Sequence, residues 1–274
     1  MKLRNVLEFA GLRGKAKHYG YRTRSVDLGG DGSITVADWQ HPRLLDGRDP
    51  YAGLPELIRQ YREVVAEGDF CIDIGAHVGD STLPMAIAAG PSGSVLALEP
   101  NPFVYHVLEK NARANRHVAN ISTMLAAAGS EQGFLEFEYS DSGFCNGGRH
   151  EGISAIKHGH PYKLSVFCVG LQQELQDCYA KELDRLKLIK VDAEGYDLYI
   201  LRSLTGIIDE HRPIIKAEVF KNTSQEYRAD LFDLFNSRNY AVFKMAEEAL
   251  VKGERLDRQS VVAAGHFDIL CFPE

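Results

Sequence analysis

DIGAHVGDST, residues 73–82, joins a strand-like apolar run at 70–74 to a helical run at 81–89. Gly75 permits a tight turn after the strand, and Gly79 lets the helix approach the strand and a ligand closely. In a doubly wound sheet, the first strand–helix turn at the carboxyl edge is where a nucleotide-like ligand docks. The segment therefore predicts such a sheet, with a ligand site at this turn.

Strand-like and helical runs alternate along the rest of the chain. The sequence predicts strands at 70–74, 95–98, 121–127, 186–191, 213–219, 240–245 and 266–272. Helical spacing occupies 54–65, 81–89, 103–114, 196–204 and 227–235. Near-continuous apolar strands separated by helices are typical of a parallel sheet covered on both faces. We predict an α/β fold with a doubly wound, mostly parallel, seven-stranded Rossmann-like sheet and an antiparallel closing strand.

Two regions interrupt this pattern. Residues 1–52 are mixed in character and are interpreted as an N-terminal extension or cap on a main domain at 53–274. The polar stretch at about 140–165 is an insertion in that domain, and long insertions in compact domains are commonly functional. We place it on the substrate side of the site.

Composition restricts the class of protein. The 274 residues carry 31 Lys and Arg against 38 Asp and Glu, a formal net charge of -7. An acidic chain without a basic stripe is a poor partner for nucleic-acid phosphates. No apolar run reaches the length of a membrane span, and early charged residues interrupt any signal-peptide pattern. Five scattered cysteines form no CxxC pair, so we expect reduced thiols and a cytoplasmic location; the sequence does not indicate an oligomeric state.

Two carboxylates accompany the glycine-rich turn. Asp73 ends the first strand, where its charge suits a cationic group such as the amino group of a methionine moiety. Glu99 ends the next strand, about 25 residues on, where it can accept hydrogen bonds from both ribose hydroxyls. Together they favour S-adenosylmethionine. A dinucleotide is the alternative, but GxGxxG is absent because His77 stands where its middle glycine would be.

The chain also resembles a known family, the FkbM-type methyltransferases. The resemblance rests on DIGAHVGDST at 73–82, LEPNP at 98–102, IKVDAEGYD at 189–197 and PIIKAEVF at 213–220. It implies a class I methyltransferase fold and methylation of hydroxyl groups on sugars, glycans or small natural products. It also implies that the 73–79 loop holds the methionine end of the cofactor, that Glu99 holds the ribose, and that Ala127 and Ala128 lie near the adenine. The predicted cofactor-binding residues are Asp73, Gly75, Ala76, His77, Gly79, Thr82, Glu99, Asn101 and Ala127.

Methyl transfer to a hydroxyl requires alignment of the acceptor and removal of its proton. Asp192, at the end of a buried strand, is the first candidate to orient the acceptor or act as base. Glu194 is the second, and Glu218, near the end of the next strand, is expected to converge on the same crevice. Asp192 or Glu194 could instead cap the following helix. Three carboxylates also suit Mg²⁺, but nothing in their spacing requires a metal, and no metal site is predicted.

Histidines of the insertion are further candidates. We hypothesise that His150 or His158 helps to deprotonate the acceptor, with the loop folding over the site to exclude water. His158 and His160 lack the companion ligands of a zinc site. Lys187 and Lys190 are expected to lie away from the ligand and to have no function.

The sequence thus favours an O-methyltransferase of a small molecule or glycan that uses S-adenosylmethionine. An N- or C-methyltransferase, an RNA-directed enzyme, a dinucleotide-binding oxidoreductase and a non-catalytic adenosyl-ligand sensor are the alternatives. Fold alone does not choose among them.

Overall fold

The computed structural model describes residues 16–44, 49–139, 141–145, 147–148, 162–221, 223–246, 250–263 and 265–274. Its strands are β1 Tyr21–Asp27, β2 Ser33–Trp39, β3 Phe70–Ile74, β4 Ser94–Leu98, β5 Ile121–Met124, β6 Ala127–Gly129, β7 Gly133–Tyr139, β8 Gly147–Gly148, β9 Tyr162–Gly170, β10 Leu186–Val191, β11 Ile214–Val219, β12 Tyr240–Met245, β13 Lys252–Arg255 and β14 Phe267–Pro273. Its α-helices are α1 Leu54–Arg62, α2 Thr82–Ala89, α3 Pro102–Ala114, α4 Leu171–Cys178, α5 Ala180–Leu183, α6 Asp197–Ser203, α7 Thr205–His211, α8 Gln225–Asn236 and α9 Arg258–Ala263.

A large, mostly parallel sheet forms the centre of the molecule. Its strand order is β13-β12-β14-β11-β10-β3-β4-β5. Strands β5, β4, β3, β10 and β11 pair in parallel, whereas β14 lies antiparallel between β11 and β12. The predicted α/β class, with its doubly wound sheet and antiparallel closing strand, is confirmed.

The sheet also has an eighth strand, β13, which pairs antiparallel with β12 at the sheet edge. All four of its residues are exposed, so it lacks the apolar pattern on which the strand prediction depended. Helix α9, between β13 and β14, was likewise not expected; only Val261 in it is buried.

Burial on both faces explains the apolar strands. Every residue of β3 is buried, and so are all residues of β10 except Lys187. Helix α2 is buried along its whole length and is apolar all round, as expected for a helix packed inside a domain. Helix α1, which packs on it, buries only Leu54, Ile58 and Tyr61. The strands are thus enclosed, and their carboxyl ends are left for a ligand site.

A second sheet lies outside the predicted plan. It has four strands in the order β6-β9-β7-β8. The predicted strand at 121–127 was therefore wrong at its end: β5 stops at Met124, and Ala127 begins β6 of the second sheet. The break falls at the exposed Leu125 and the buried Ala126, where the chain passes between sheets. Strands β7 and β9 pair along their length and flank the insertion, of which residues 140, 146 and 149–161 lie outside the described part.

The described part of the N-terminal region forms an antiparallel hairpin, β1–β2, fastened to helix α3. Asn111 Oδ1 accepts a hydrogen bond from the Ala37 amide at 2.6 Å. One turn later, Asn115 accepts from the Thr35 amide at 2.9 Å and donates to its carbonyl at 2.8 Å. Two buried asparagines therefore hold β2 as an additional layer over the helix.

Two further findings concern the molecule as a whole. Within the described ranges, no helix combines the length and apolar character needed to cross a membrane. The five cysteines, all described, are free, and four of them are buried.

Candidate active site

A cavity of about 340 Å³ opens at the carboxyl ends of β3, β4 and β10. Strand β3 lies between β4 and β10, where the chain leaves in opposite directions along the sheet, and ligands bind at such switch points. The volume lies at the lower end of the range for small-molecule sites. Eight of the predicted residues line it: Gly75, His77, Glu99, Asn101, Ala127, Ala128, Asp192 and Glu194.

Gly75 makes the turn after β3 possible. Its φ is +80°, and a Cβ built on it would lie 2.0 Å from the backbone oxygen of Asp192. Its amide donates to the Leu98 carbonyl at 3.0 Å, while the Asp192 amide donates to the Ile74 carbonyl at 3.0 Å. The turns after β3 and β10 are therefore in direct backbone contact, and only glycine fits at this position.

Four of the predicted cofactor residues lie behind the cavity wall. Asp73 is fully buried; its Oδ2 accepts from Thr82 Oγ1 at 2.6 Å. Gly79, with φ +90°, packs against Leu108 of α3, and a Cβ there would lie 3.0 Å from that side chain. Ala76 is buried as well. These residues support the wall, and their direct contact with a cofactor stays a prediction.

Glu99 is a buried carboxylate, 6% exposed, in the cavity wall. Its Oε2 accepts from the His77 amide and its Oε1 from the Asn101 amide, both at 2.8 Å. Burial raises the pKa of Glu99 to about 7, although the two backbone hydrogen bonds oppose the shift. Each oxygen keeps a lone pair, so the carboxylate can still accept hydroxyl hydrogen bonds.

His77 adopts a left-handed conformation with φ 49°, which is uncommon for a residue other than glycine. Its ring meets the Trp39 ring of β2 edge to face, with centroids 5.7 Å apart. Burial lowers the pKa of His77, so its imidazole is neutral at neutral pH. The residue in the place of a nucleotide-fold glycine thus brings an uncharged nitrogen base to the cavity.

Asn101 connects the cavity to the segment after β7. Its Oδ1 accepts from the Phe103 amide at 3.0 Å, capping helix α3, and its Nδ2 donates to the Phe144 carbonyl at 2.6 Å. Phe144 stacks on Phe103 with centroids 4.1 Å apart. Nearby, the buried His41 Nε2 lies 3.1 Å from Asp141 Oδ1. The described segment 141–145 is therefore held between helix α3 and the N-terminal region.

Asp192 and Lys190 form the charged centre of the cavity. The Asp192 side chain is 48% exposed, and its Oδ2 lies 3.5 Å from Lys190 Nζ. Burial by the surrounding protein acts to raise the pKa of Asp192. The positive charges of Lys190 and then Lys216 act in the opposite direction and exceed this effect, so the pKa of Asp192 is lowered. Asp192 is therefore a carboxylate at neutral pH.

The expectation that Lys190 lies away from the ligand was wrong. Its side chain is almost fully buried, lines the cavity, and lies 3.1 Å from Asp73 Oδ1. Strand register explains this position, because Lys190 of β10 is paired with Asp73 of β3. Lys187, in contrast, is exposed.

The other two predicted carboxylates differ in position. Glu194 lines the cavity in a left-handed conformation, φ 52°, and burial and then Asp192 raise its pKa. Glu218 is buried behind the wall, where its Oε1 lies 3.5 Å from His266 Nδ1. Burial, followed by repulsion from Asp192, raises the pKa of Glu218 to about 9. Asp192 and Glu194 thus face the cavity, whereas Glu218 does not. Among the described residues, no group of three or more acidic, His or Cys side chains is arranged to hold a metal ion.

Sequence reasoning missed two other residues of the site. Asp197 is fully buried and accepts from the amides of Ala193 at 3.3 Å and Glu218 at 3.2 Å, which joins the ends of β10 and β11. Tyr139, the last residue of β7, brings a buried phenol to the cavity. The EGYD motif that contains Asp197 was a usable signal, whereas Tyr139 belongs to a sheet that was not predicted.

The candidate histidines of the insertion, His150, His158 and His160, lie outside the described residues.

Similarity to known proteins identifies a family for this chain. The family model described as the methyltransferase FkbM domain matches residues 73–242. Methyltransferase sdnD of Sordaria araneosa is 26% identical over 168 residues, which cover 54% of this chain and 63% of that protein. Methyltransferase 1 of Beauveria bassiana is 26% identical over 160 residues, which cover 54% of this chain and 62% of that protein. The chain thus spans less than two thirds of the length of these curated relatives.

Solved structures show similarity at lower identity. The crystal structure of methyltransferase FkbM from Methylobacillus flagellatus aligns over 82% of this chain and 50% of its own, with 17% identity and a TM-score of 0.46. M. jannaschii TYW2, solved in complex with AdoMet, aligns over 94% of this chain and 86% of its own, with 14% identity and a TM-score of 0.42.

Proposed function

Because the chain belongs to the FkbM methyltransferase family, we propose that it is an S-adenosylmethionine-dependent O-methyltransferase of a sugar, glycan or small natural product. The observation that carries the proposal is Glu99, a buried carboxylate at the end of β4 that faces the cavity. A carboxylate at this place in a doubly wound sheet is suited to ribose hydroxyls.

The cavity residues fit such a cofactor. Glu99 would hold the ribose, the small side chains of Ala127 and Ala128 would face the adenine, and the turn at Gly75 would hold the methionine end. When bound there, S-adenosylmethionine would supply an activated methyl group for an acceptor hydroxyl. The protein then has to align the acceptor and accept its proton.

Two side chains of the wall suit the acceptor. Asp192 has a lowered pKa, so it is a weak base but a good hydrogen-bond acceptor for orienting a hydroxyl. His77 is neutral, so its ring offers an uncharged nitrogen that can accept a proton. The net charge of -7 supports a small or glycan acceptor rather than a nucleic acid. A cytoplasmic location is part of the same proposal.

Calorimetric titration with S-adenosylhomocysteine tests the cofactor assignment, with NAD as the competing ligand. We expect micromolar binding of S-adenosylhomocysteine that is lost in an Asp73→Ala, Glu99→Ala double variant. Binding of NAD instead would replace the proposal with a dinucleotide-dependent oxidoreductase.

An acceptor screen tests the chemistry. The purified protein is incubated with S-adenosylmethionine and panels of hydroxyl, amine and carbon acceptors, and release of S-adenosylhomocysteine is measured. Turnover confined to hydroxyl acceptors supports O-methylation, whereas turnover with amines or carbon acids shows an N- or C-methyltransferase. Cofactor binding without transfer to any panel would favour a sensor.

A further inference from the structure

Trp39, the last residue of β2, packs against the cavity residue His77. Its ring meets the imidazole edge to face, with centroids 5.7 Å apart, a separation typical of favourable aromatic pairs. Trp39 itself is 2% exposed, and its Nε1 donates to the Tyr19 carbonyl at 3.1 Å. Because burial and this hydrogen bond fix the indole, the N-terminal hairpin offers His77 a rigid support.

The backbone of His77 is held on both sides of the residue. Its amide donates to Glu99 Oε2 at 2.8 Å. The carbonyl of the next residue, Val78, accepts from Asn111 Nδ2 at 2.7 Å. Asn111 also binds the Ala37 amide of β2, so the hairpin and the turn after β3 share one hydrogen-bonding residue. The left-handed conformation of His77 is therefore fixed by its neighbours.

The imidazole of His77 is held differently from its backbone. No described residue hydrogen-bonds to either of its ring nitrogens. A histidine that exchanges protons is commonly oriented by a hydrogen bond at one ring nitrogen. At His77 the contact with Trp39 takes this orienting role, which leaves both nitrogens available to a ligand in the cavity.

Burial also keeps the imidazole of His77 uncharged. The titratable groups that face this residue are Asp80 of the same turn, Lys190 and Asp192 at the end of β10, His41 after β2, and Glu99 after β4. Burial is the largest influence on the pKa of His77 and lowers it, against the opposing effect of the two aspartates. The Trp39 ring covers the imidazole on the hairpin side and so contributes to this burial.

We propose that Trp39 is a positioning residue that holds the His77 imidazole at the cavity wall, so that the N-terminal hairpin forms part of the active site. The functional part of this inference rests on the proposed function, in which a His77 ring nitrogen accepts the proton of an acceptor hydroxyl. Trp39 acts through His77 by fixing where that nitrogen meets the hydroxyl. Alignment of this kind matters because a displacement of about 1 Å can slow a reaction about a hundredfold.

The first test follows the imidazole without any ligand. Nuclear magnetic resonance of protein with isotopically labelled histidine records the titration of each ring, and the signal missing in His77→Asn identifies His77. Trp39→Leu should raise the pKa of His77 towards its usual range, because water reaches the ring on the hairpin side. Trp39→Phe, which keeps an aromatic ring, should raise it less.

Ile34→Ala is the matched control for this test. Ile34 is a buried residue of the same strand, and its truncation should leave the titration of His77 unchanged. An unchanged titration in a folded Trp39→Leu variant would overturn the proposal and leave Trp39 a packing residue.

Fluorescence tests the contact in the wild-type protein, because Trp39 is the only tryptophan of the chain. A protonated imidazole quenches an adjacent indole, so emission should fall as the pH is lowered through the titration of His77. The fall should be smaller in His77→Asn, where the His41 ring, 4.8 Å from that of Trp39, accounts for the remainder. Identical pH profiles in the two proteins would overturn the proposal, and this comparison decides the question if Trp39→Leu does not fold.

A double-variant cycle tests the functional part with an acceptor found in the screen. Trp39→Leu should lower kcat about ten- to a hundredfold and leave the KM for S-adenosylmethionine nearly unchanged. In the His77→Asn background the same substitution should change kcat little, because its effect passes through His77. An equal loss in both backgrounds would overturn the positioning role. A protein that keeps the Trp39–His77 signals but binds no S-adenosylhomocysteine would instead overturn the proposed function alone.

Discussion

A Cβ atom on Gly75 would lie 2.0 Å from the carbonyl oxygen of Asp192. The two residues follow neighbouring parallel strands, β3 and β10, and the backbones of their turns are in direct contact. The position of Asp192 in the cavity thus depends on the absence of a side chain at Gly75. The glycine of the DIGAHVGDST segment thus shapes the turn after β10 as well as its own turn after β3.

Gly75→Ala should therefore destabilise the fold strongly. We expect a loss of several kcal/mol in the free energy of unfolding, because a left-handed conformation costs about 1–2 kcal/mol and a backbone clash adds to it. Urea denaturation measures the loss. Gly32→Ala is the matched control, since Gly32 has a similar φ of +82° and nothing within 4 Å of the added Cβ. Equal losses in the two variants would show that the contact with Asp192 is unimportant.

Asn101→Asp should loosen the segment after β7 while keeping the cap of helix α3. Aspartate caps as well as asparagine does, but its carboxylate would face the Phe144 carbonyl that Asn101 Nδ2 now binds at 2.6 Å. We expect a loss of about 1–3 kcal/mol in the free energy of unfolding. We also expect faster amide hydrogen exchange in residues 141–145.

Asn120→Asp is the control for that change. Its Nδ2 donates to the Gly93 carbonyl at 3.3 Å on the surface, so the same substitution should cost little. Unchanged exchange in residues 141–145 of the Asn101 variant would show that its hydrogen bond does not hold the segment.

The central sheet was predictable because parallel strands are buried on both faces and so have continuous apolar sequences. Strand β13 and the β1–β2 hairpin were not predictable in this way. The first is fully exposed, and the second is held by Asn111 and Asn115, which lie 74 and 80 residues from their partners in β2. Attachments between side chain and backbone over such separations have no local sequence pattern.

The site was predictable where it depends on strand ends and not where it depends on strand register. Gly75 and Glu99 were located from their positions after two apolar runs. The charge of Lys190 does not by itself indicate its position, because the pairing of β10 with β3 places it beside Asp73. A lysine inside an otherwise buried strand is itself a signal, since such a charge requires a partner.

Glu218→Gln should make the protein more stable at alkaline pH. The pKa of Glu218 is about 9 in the folded protein, because of burial and then Asp192, and lies near 4.3 in an unfolded chain. The folded state thus keeps a proton that the unfolded state has lost, so stability falls as pH rises from about 4 to 9. Glutamine removes this loss. We expect a gain on the order of 2–4 kcal/mol at pH 8 and only about 1 kcal/mol at pH 5, measured by denaturation at both values.

The exposed Glu254 supplies the control, because Glu254→Gln should change stability equally little at the two pH values. If Glu218→Gln were no more stabilising at pH 8 than at pH 5, Glu218 would be ionised in the folded protein.

Binding of S-adenosylhomocysteine should strengthen as pH rises through 7. Burial raises the pKa of Glu99 to about 7, so about half of the protein carries a protonated Glu99 at neutral pH, and ribose hydroxyls prefer the ionised form. We expect the dissociation constant to be about tenfold higher at pH 6 than at pH 8, with proton release on binding, measured by calorimetry in two buffers of different ionisation enthalpy.

Glu99→Gln should bind S-adenosylhomocysteine more weakly and lose most of this pH dependence. Because this variant retains His77, the difference between the two proteins isolates the contribution of Glu99. Glu131→Gln, at an exposed turn, should retain the wild-type profile. An identical pH profile in wild type and Glu99→Gln would assign the titration to another group and remove Glu99 from the ribose site.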